Sequence, residues 1–243
     1  MKRERRVPED DPRANTLLAH LPADEWSLLL PNARILTLKH GQVLFSDDEP
    51  ADMAYFPLTA IVSMIALMKN GQEIEYGSIG REGMVGLQVA LNAQPLRGRA
   101  LCQLEGEVVG FQHVALRKIG AAAAPELHRL LLRYAQATIN VLAQSTACNA
   151  LHSVRERTAR WLLMTRDRAG RDAFDLTQAF LSKLLGVRRA GVTEVAGAMQ
   201  RQGIIEYTRS QIRICDGDRL ELASCECYAL IRAEYGRVLD GTR

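Results

Sequence analysis

Between Ala33 and about Val114 the apolar residues fall into short runs: Ile35–Leu38, Val43–Phe45, Met53–Phe56, Ile61–Leu67, Ile74–Tyr76, Ala100–Leu104 and Val108–Phe111. Turn-forming clusters separate them, among them His40-Gly41, Asp47-Asp48-Glu49-Pro50, Gly80-Arg81-Glu82-Gly83 and Glu105-Gly106. Asn70-Gly71 between two apolar runs is a strong hairpin signal, because both residues tolerate positive φ. Many short strands at regular spacing predict an antiparallel sandwich, roll or barrel. Ahead of them, Arg13–Leu21 and Ala23–Leu30 read as two short helices separated by Pro22, the second stopped by Pro31. The charged segment before them, residues 1–14 with Pro8 and Pro12, reads as a loose arm.

From Pro125 the period changes. No Gly and no internal Pro occurs up to Ala150, and apolar or small residues recur three or four apart at Leu127, Leu130, Leu131, Tyr134, Ala137, Val141, Cys148 and Leu151. This predicts a helix of about seven turns, about 39 Å long at 1.5 Å per residue. Such a helix overhangs a small roll. A second copy of the chain is the simplest cover for the stripe Leu127, Leu131, Tyr134, Val141 and Cys148, and the helix's own roll is the other. Ser153 is placed to cap a further helix running to about Arg168, with Trp161, Leu162 and Met164 inward. Asp175 or Thr177 caps the next.

Leu176 to Gly203 carries the pattern of a helix-turn-helix. With Gly186 as the turn, Leu181, Leu185, Val187, Val192 and Val195 fall on the inward offsets, and Ser182 is the small residue where the helices touch. The second helix, about 188–201, then turns Val192, Val195 and Met199 to the core. Arg188, Arg189 and Thr193 face outward near its N-terminal end, the part that enters a major groove. Arg can bond two guanine acceptors at once, and Thr can contact a base edge or a thymine methyl. Thr177 and Gln178 at the start of the first helix are further candidates. Gly203–Ile214 reads as strand, polar turn, strand: a wing, with Arg209 and Arg213 able to reach phosphates. The competing reading is a helical hairpin in a core, its arginines merely solvated.

Composition narrows the classes. Of 243 residues, 47% are hydrophobic and 24% charged, which suits a globular chain and not a disordered one. The longest apolar run, Ile61–Met68, is broken by Ser63 and is too short to span a membrane. No apolar stretch follows the charged N-terminus as a signal peptide requires, so a cytoplasmic protein is expected. The net charge is only +3, but residues 153–213 hold 12 Lys/Arg against 6 Asp/Glu, as a polyanion-binding module would. The five cysteines, Cys102, Cys148, Cys215, Cys225 and Cys227, read as free thiols. Cys225-x-Cys227 is set too close for the common C-x-x-C pattern, and no second pair lies nearby in sequence, so no metal site is expected. No Walker loop, Gly-x-Ser-x-Gly, His-Glu-x-x-His or dinucleotide fingerprint occurs, which argues against an enzyme.

A β-roll, a long helix and a winged helix-turn-helix, in that order, resemble the Crp–Fnr superfamily of bacterial transcription regulators over about residues 15–235. The resemblance implies an α+β protein: an arm (1–14), an antiparallel, jelly-roll-like sensory β-roll like a cyclic nucleotide-binding domain (15–124), a long dimerisation helix (125–152) and a DNA-binding winged helix-turn-helix (153–243). It implies a homodimer on a palindromic operator in double-stranded DNA, contact with RNA polymerase, and an effector read by the roll. The alternative is a ligand-binding roll that serves as sensor or scaffold without specific DNA binding. Members that bind cyclic nucleotides carry Gly-Glu-Leu and, about ten residues on, Arg-Ser-Ala. Here the segments are Gly86-Leu87-Gln88 and Arg97-Gly98-Arg99-Ala100. Gly86, Arg97 and Arg99 remain pocket candidates, whereas the ribose-binding carboxylate is replaced by Leu87. The Thr-Ser pair of the long helix aligns with Leu142-Ala143. Losing these partners argues against cyclic AMP; another anion near the arginines, or no ligand, remains. No cysteine precedes Cys102, which argues against an iron–sulfur cluster. His113, His128, His152, Cys102 and Cys148 match haem ligands by residue type alone, so haem is not expected. The recognition helix also departs from the common Arg-Glu-x-Val-x-Arg, reading Arg189-Ala190-Gly191-Val192-Thr193-Glu194. A different operator is therefore expected, with Glu194 facing solvent or a cytosine amino group.

Overall fold

Strand-forming runs and helical periods settle into the following order: β1 (Glu4–Arg6), α1 (Thr16–Ala19), α2 (Ala23–Leu29), β2 (Arg34–Leu38), β3 (Val43–Phe45), β4 (Met53–Pro57), β5 (Ile61–Leu67), β6 (Glu73–Ile79), α3 (Leu87–Ala90), β7 (Arg99–Leu104), β8 (Gly106–Gln112), α4 (His113–Ala123), α5 (Pro125–Leu151), α6 (Val154–Ala169), β9 (Ala173–Asp175), α7 (Gln178–Leu185), α8 (Arg189–Arg201), β10 (Ile205–Tyr207), β11 (Gln211–Ile214), α9 (Gly217–Leu222) and α10 (Cys227–Leu239). The structure, a computed structural model, describes residues 4–6, 14–47, 51–91, 93, 97–208 and 210–239. Among these, no helix is long and apolar enough to cross a membrane. The described residues divide into two compact units: one of residues up to Met64, Ser78–Ile139 and from Tyr235 on, the other of Ile65–Gly77 and Asn140–Glu234.

The first unit is built on the antiparallel sheet β1-β2-β8-β4 and on strands of a second sheet, β3-β7-β5-β6. In the first sheet β8 pairs on both sides, with Arg34↔Gly110 to Leu38↔Gly106 against β2 and Met53↔Gln112 to Pro57↔Val108 against β4. Diagonal neighbours Phe56 and Phe111 meet edge to face at 5.5 Å inside the roll. The N-terminal segment is not wholly a loose arm, since Glu4–Arg6 adds the edge strand β1 to β2. Asn15 caps α1 by accepting from the Leu17 and Leu18 N–H groups and donates to the Pro57 and Gly83 carbonyls, both at 2.9 Å. Its buried amide is thus satisfied on every side.

Helix α5 begins on a carboxylate. Glu25, buried on α2, accepts from the N–H groups of Glu126 and Leu127 at 2.8 Å each. These are donors that the first turn of a helix cannot satisfy for itself. Further along, Tyr134 stacks on Tyr235 at 5.8 Å and donates its hydroxyl to the Met84 carbonyl at 3.1 Å. The adjoining Gly83 leaves room for this ring, because a Cβ there would lie 2.7 and 2.8 Å from two ring carbons.

The expected dimer stripe makes contacts within the chain itself. Leu131, Tyr134, Val141 and Cys148 are buried within the single chain and Leu127 is half-buried, so this face is already covered. The large apolar residues that α5 leaves exposed are Leu132 (52%), Ile139 (60%) and Leu151.

In the second unit, Ser153 and Glu156 form a reciprocal capping box at the start of α6. Trp161 on α6 donates its indole N–H to Glu75 of the β5–β6 hairpin at 3.0 Å. The wing sheet is β10-β11-β9, and its third strand, β9, ends at Asp175, where the sequence predicts only a helix cap at Asp175 or Thr177. Phe174 carries it into the core between half-buried Ala173 and exposed Asp175.

Candidate DNA interface and effector pocket

The helix-turn-helix forms around Gly186, whose φ of +62° ends α7 in the left-handed region that favours glycine. Leu181, Leu185, Val192 and Met199 are buried, with Ser182 at the contact. Val187 and Val195 are only half-buried, and Ala196 takes an inward place instead of Val195. Val195 and Ala196 flank the line from Val192 to Met199 at equal angles, so helical period alone does not choose between them, and the packing of α8 against its neighbours buries Ala196.

With that face consumed, α8 presents Arg188, Arg189, Thr193 and Glu194 to solvent. Arg188 is the N-cap residue of α8, so both arginines sit at the positive end of the helix dipole. The Thr193 hydroxyl lies 2.7 Å from the Gln178 side-chain oxygen and 3.0 Å from the Arg189 carbonyl. It has one proton and serves one of them at a time. The structure therefore brings Gln178 onto Thr193 as a bridge between α7 and α8. Thr177 is exposed but its hydroxyl is occupied, accepting from the Phe180 N–H at 3.1 Å as the cap of α7. On the wing, Arg213 is exposed on β11, 3.9 Å from Glu206 of β10. Arg209 lies outside the described residues. Tyr207 donates to the Leu176 carbonyl at 2.8 Å, and burial pushes its hydroxyl up to about 12, so it stays neutral and holds the wing to the start of α7.

Two cations of the basic segment do not face outward. Arg157 and Arg160 on α6 are each only 8% exposed. The basic surface is correspondingly smaller than the sequence count implies.

In the roll, Gly86 adopts φ +90° at the start of α3, where a Cβ would lie 2.7 Å from the Met53 carbonyl oxygen. Arg97 is exposed and Arg99 half-buried on β7, while the Gly98 N–H donates to Asp47 at 2.8 Å. Leu87 is half-buried. Gln88 is 6% exposed, and among the described residues neither atom of its amide has a hydrogen-bond partner. A separate cavity of about 340 Å³, lined by Leu91, Leu116, Arg117, Leu127, His128 and Leu131, does not include the three predicted pocket residues. Cys102 is buried on β7; burial, then the Glu105 carboxylate, pushes its thiol up to about 12. Neither Cys102 nor His113 nor His128 is gathered with other ligand groups among the described residues.

Residues 35–122 match the family model of the cyclic nucleotide-binding domain, and residues 156–223 that of the Crp-like helix-turn-helix domain. A comparison with curated proteins finds no match. Among solved structures, the chain is similar to one from Eubacterium rectale assigned to the Crp/Fnr family of transcriptional regulators, at 15% identity and a TM-score of 0.68, covering 87% of this chain and 98% of that one. It is similar to FixK2 from Bradyrhizobium japonicum at 20% identity and a TM-score of 0.65, covering 79% and 98%. It is also similar to the c-di-GMP responsive global regulator CLP from Xanthomonas campestris, at 16% identity and a TM-score of 0.64, covering 79% and 99%. At these identities the likeness establishes the fold. With both domain models matched in one polypeptide and in this order, the chain joins a cyclic nucleotide-binding domain to a Crp-like helix-turn-helix domain, the arrangement whose fold it shares with the Crp/Fnr structures.

Proposed function

We propose that the protein is a homodimeric, sequence-specific DNA-binding regulator that reads the major groove with α8 and does not take cyclic AMP as its effector. The carrying observation is the N-terminal end of α8. Arg188, Arg189 and Thr193 stand together there on the outward face of a helix whose Val192, Ala196 and Met199 are buried. Arg189 and Thr193 supply base contacts, and Arg213 with Arg209 supplies phosphate contacts from the wing. Thr177 contributes through the cap it makes, and Gln178 through its hold on Thr193.

One such helix reads few base pairs, and two copies reading half-sites about 34 Å apart read twice as many. The face left for that pairing is the one of Leu132 and Ile139, which lie seven residues apart and so on one side of α5. Exposed Ala143 and Ala150 continue it. In the roll, Leu87 offers no acceptor to a ribose hydroxyl, and Leu142-Ala143 offers no hydroxyl to a base. Arg97 and Arg99 leave room for a different anion. The regulator acts in the cytoplasm and, by family, through RNA polymerase.

The test is to incubate the ligand-free protein with a pool of random DNA duplexes and sequence what it retains, with and without cyclic AMP. A two-fold symmetric motif, unchanged by the nucleotide, is expected. Salt-sensitive retention without a motif would refute specific reading by the free dimer. A motif that emerges only with cyclic AMP would refute the reading of the pocket.

A further inference from the structure

Cys225 and Cys227 have no second cysteine pair near them in sequence, but the fold supplies two more ligands. Cys148 on the last turn of α5 and His152 just beyond it, four residues apart, reach the segment that opens α10. The three sulfurs and a ring nitrogen of His152 all lie within 4.8 Å of one another. The Cys148 and Cys225 sulfurs are 3.5 Å apart, and the Cys227 sulfur is 3.6 Å from His152 Nδ1. A tetrahedron with Zn–S of about 2.3 Å and Zn–N of about 2.0–2.1 Å has ligand–ligand edges of about 3.5–3.8 Å. We propose that Cys148, His152, Cys225 and Cys227 form a mononuclear Cys3His zinc site that ties the end of α5 to the start of α10.

Surrounding groups complete the site. His152 Nε2 lies 3.3 Å from a carboxylate oxygen of Glu226, the outer-shell arrangement that fixes the tautomer and leaves Nδ1 for the metal. Gln144 donates its side-chain amide to the Cys227 sulfur at 3.0 Å, as amides do to metal-bound thiolates. Two buried guanidiniums, Arg157 and Arg160, stand within electrostatic reach of the thiols. Among the described residues neither has a carboxylate partner, and the Nε atoms of both lack any hydrogen bond. Arg157 spends another nitrogen on the Leu185 carbonyl, and Arg160 one on the Met164 sulfur. Buried cations need compensation. Zinc with three thiolates and a neutral imidazole carries a net charge of −1 and offsets one of these two positive charges.

The ligand set is closed and thiolate-rich, which selects zinc over harder divalent ions and leaves no open position for catalysis. The four atoms converge on one point and cannot surround a multi-iron cluster. Each of the three zinc–sulfur bonds displaces a thiol proton, and the four ligands are gathered only in the folded chain, so metal binding and folding of this unit are coupled. Segment 153–224, which contains the helix-turn-helix and the wing, is closed into a loop by the metal, so the site stabilises the DNA-binding unit whatever operator it reads.

Zinc is measured in the full-length protein purified without chelator, then removed and replaced by Co²⁺ under reducing conditions. About one zinc per chain is expected, with the thiolate-to-cobalt charge-transfer band and intense d–d bands of a tetrahedral site. Cys227→Ser and His152→Gln should lose most of the metal and lower the thermal midpoint. His152→Cys should retain the metal, and Cys215→Ser, outside the cluster, should leave it unchanged. No zinc and no cobalt spectrum in the wild-type chain would overturn the proposal even if every variant failed to fold. So would a Cys148–Cys225 disulfide in the protein as purified, or zinc content indifferent to the cluster variants.

Discussion

Replacing Glu25 by Ala tests how the long helix is anchored. Glu25 is 4% exposed and accepts two backbone N–H groups, Glu126 and Leu127, at 2.8 Å. Each bond is charge-assisted and sits at the positive end of α5. Hydrogen bonds to a charged group contribute about 1.5–3 kcal/mol each, and their loss here also strands two helix-terminal donors. Part of the total is recovered, because water enters the space left and the desolvation cost of the carboxylate disappears. A net loss of about 3 kcal/mol is expected, which lowers the thermal midpoint of a chain this size by about 6–12 °C. Glu25→Gln keeps one acceptor oxygen and turns an NH2 group toward the other N–H, so it should fall between wild type and Ala. The assay is urea unfolding followed by far-ultraviolet circular dichroism, at low and high salt. The buried contact should be nearly salt-independent, unlike an exposed ion pair. A Glu25→Ala protein within about 0.5 kcal/mol of wild type, the size of an ordinary surface substitution, would refute the reasoning.

Three further outcomes follow from the same structure. Arg189→Ala should cost about 1–3 kcal/mol at one base position of the selected motif and relax specificity there; a uniform loss on all sequences would make Arg189 a phosphate contact. Ile139→Asp should yield folded monomers by sedimentation, whereas Val141→Asp should unfold the chain because Val141 is 7% exposed within it; a folded Ile139→Asp dimer would place the interface elsewhere. Gln88→Leu should stabilise the roll by about 1–3 kcal/mol, since it removes a buried amide without partners, and a destabilised variant would show that a bound water or ligand satisfies that amide.

How far each feature could be read from sequence depended on the range of the interaction behind it. Strands such as Val43–Phe45 and Ile61–Leu67 match their apolar runs end to end, because burial and turn chemistry act over a few residues. The capping box of Ser153 and Glu156 is equally local. Strand β9 was not legible, since three residues with one large apolar side chain become a strand only when β11 offers its edge. Val195 was misplaced because the inward face of α8 depends on how that helix rolls against its neighbours.

The order of roll, long helix and winged helix-turn-helix, and the outward position of Arg188, Arg189 and Thr193, were determined by the sequence itself, because hydrophobic period and turn residues impose them locally. Which side of α5 stays open was decided only in three dimensions. The stripe at Tyr134 and Cys148 has the period of an interface, but period reports that a face is apolar and not what covers it. The same limit applies to the cluster of Cys148, His152, Cys225 and Cys227. Cys148 and His152 lie at the end of α5 and Cys225 and Cys227 at the start of α10, and only packing of the intervening chain brings the two pairs within bonding range of one ion.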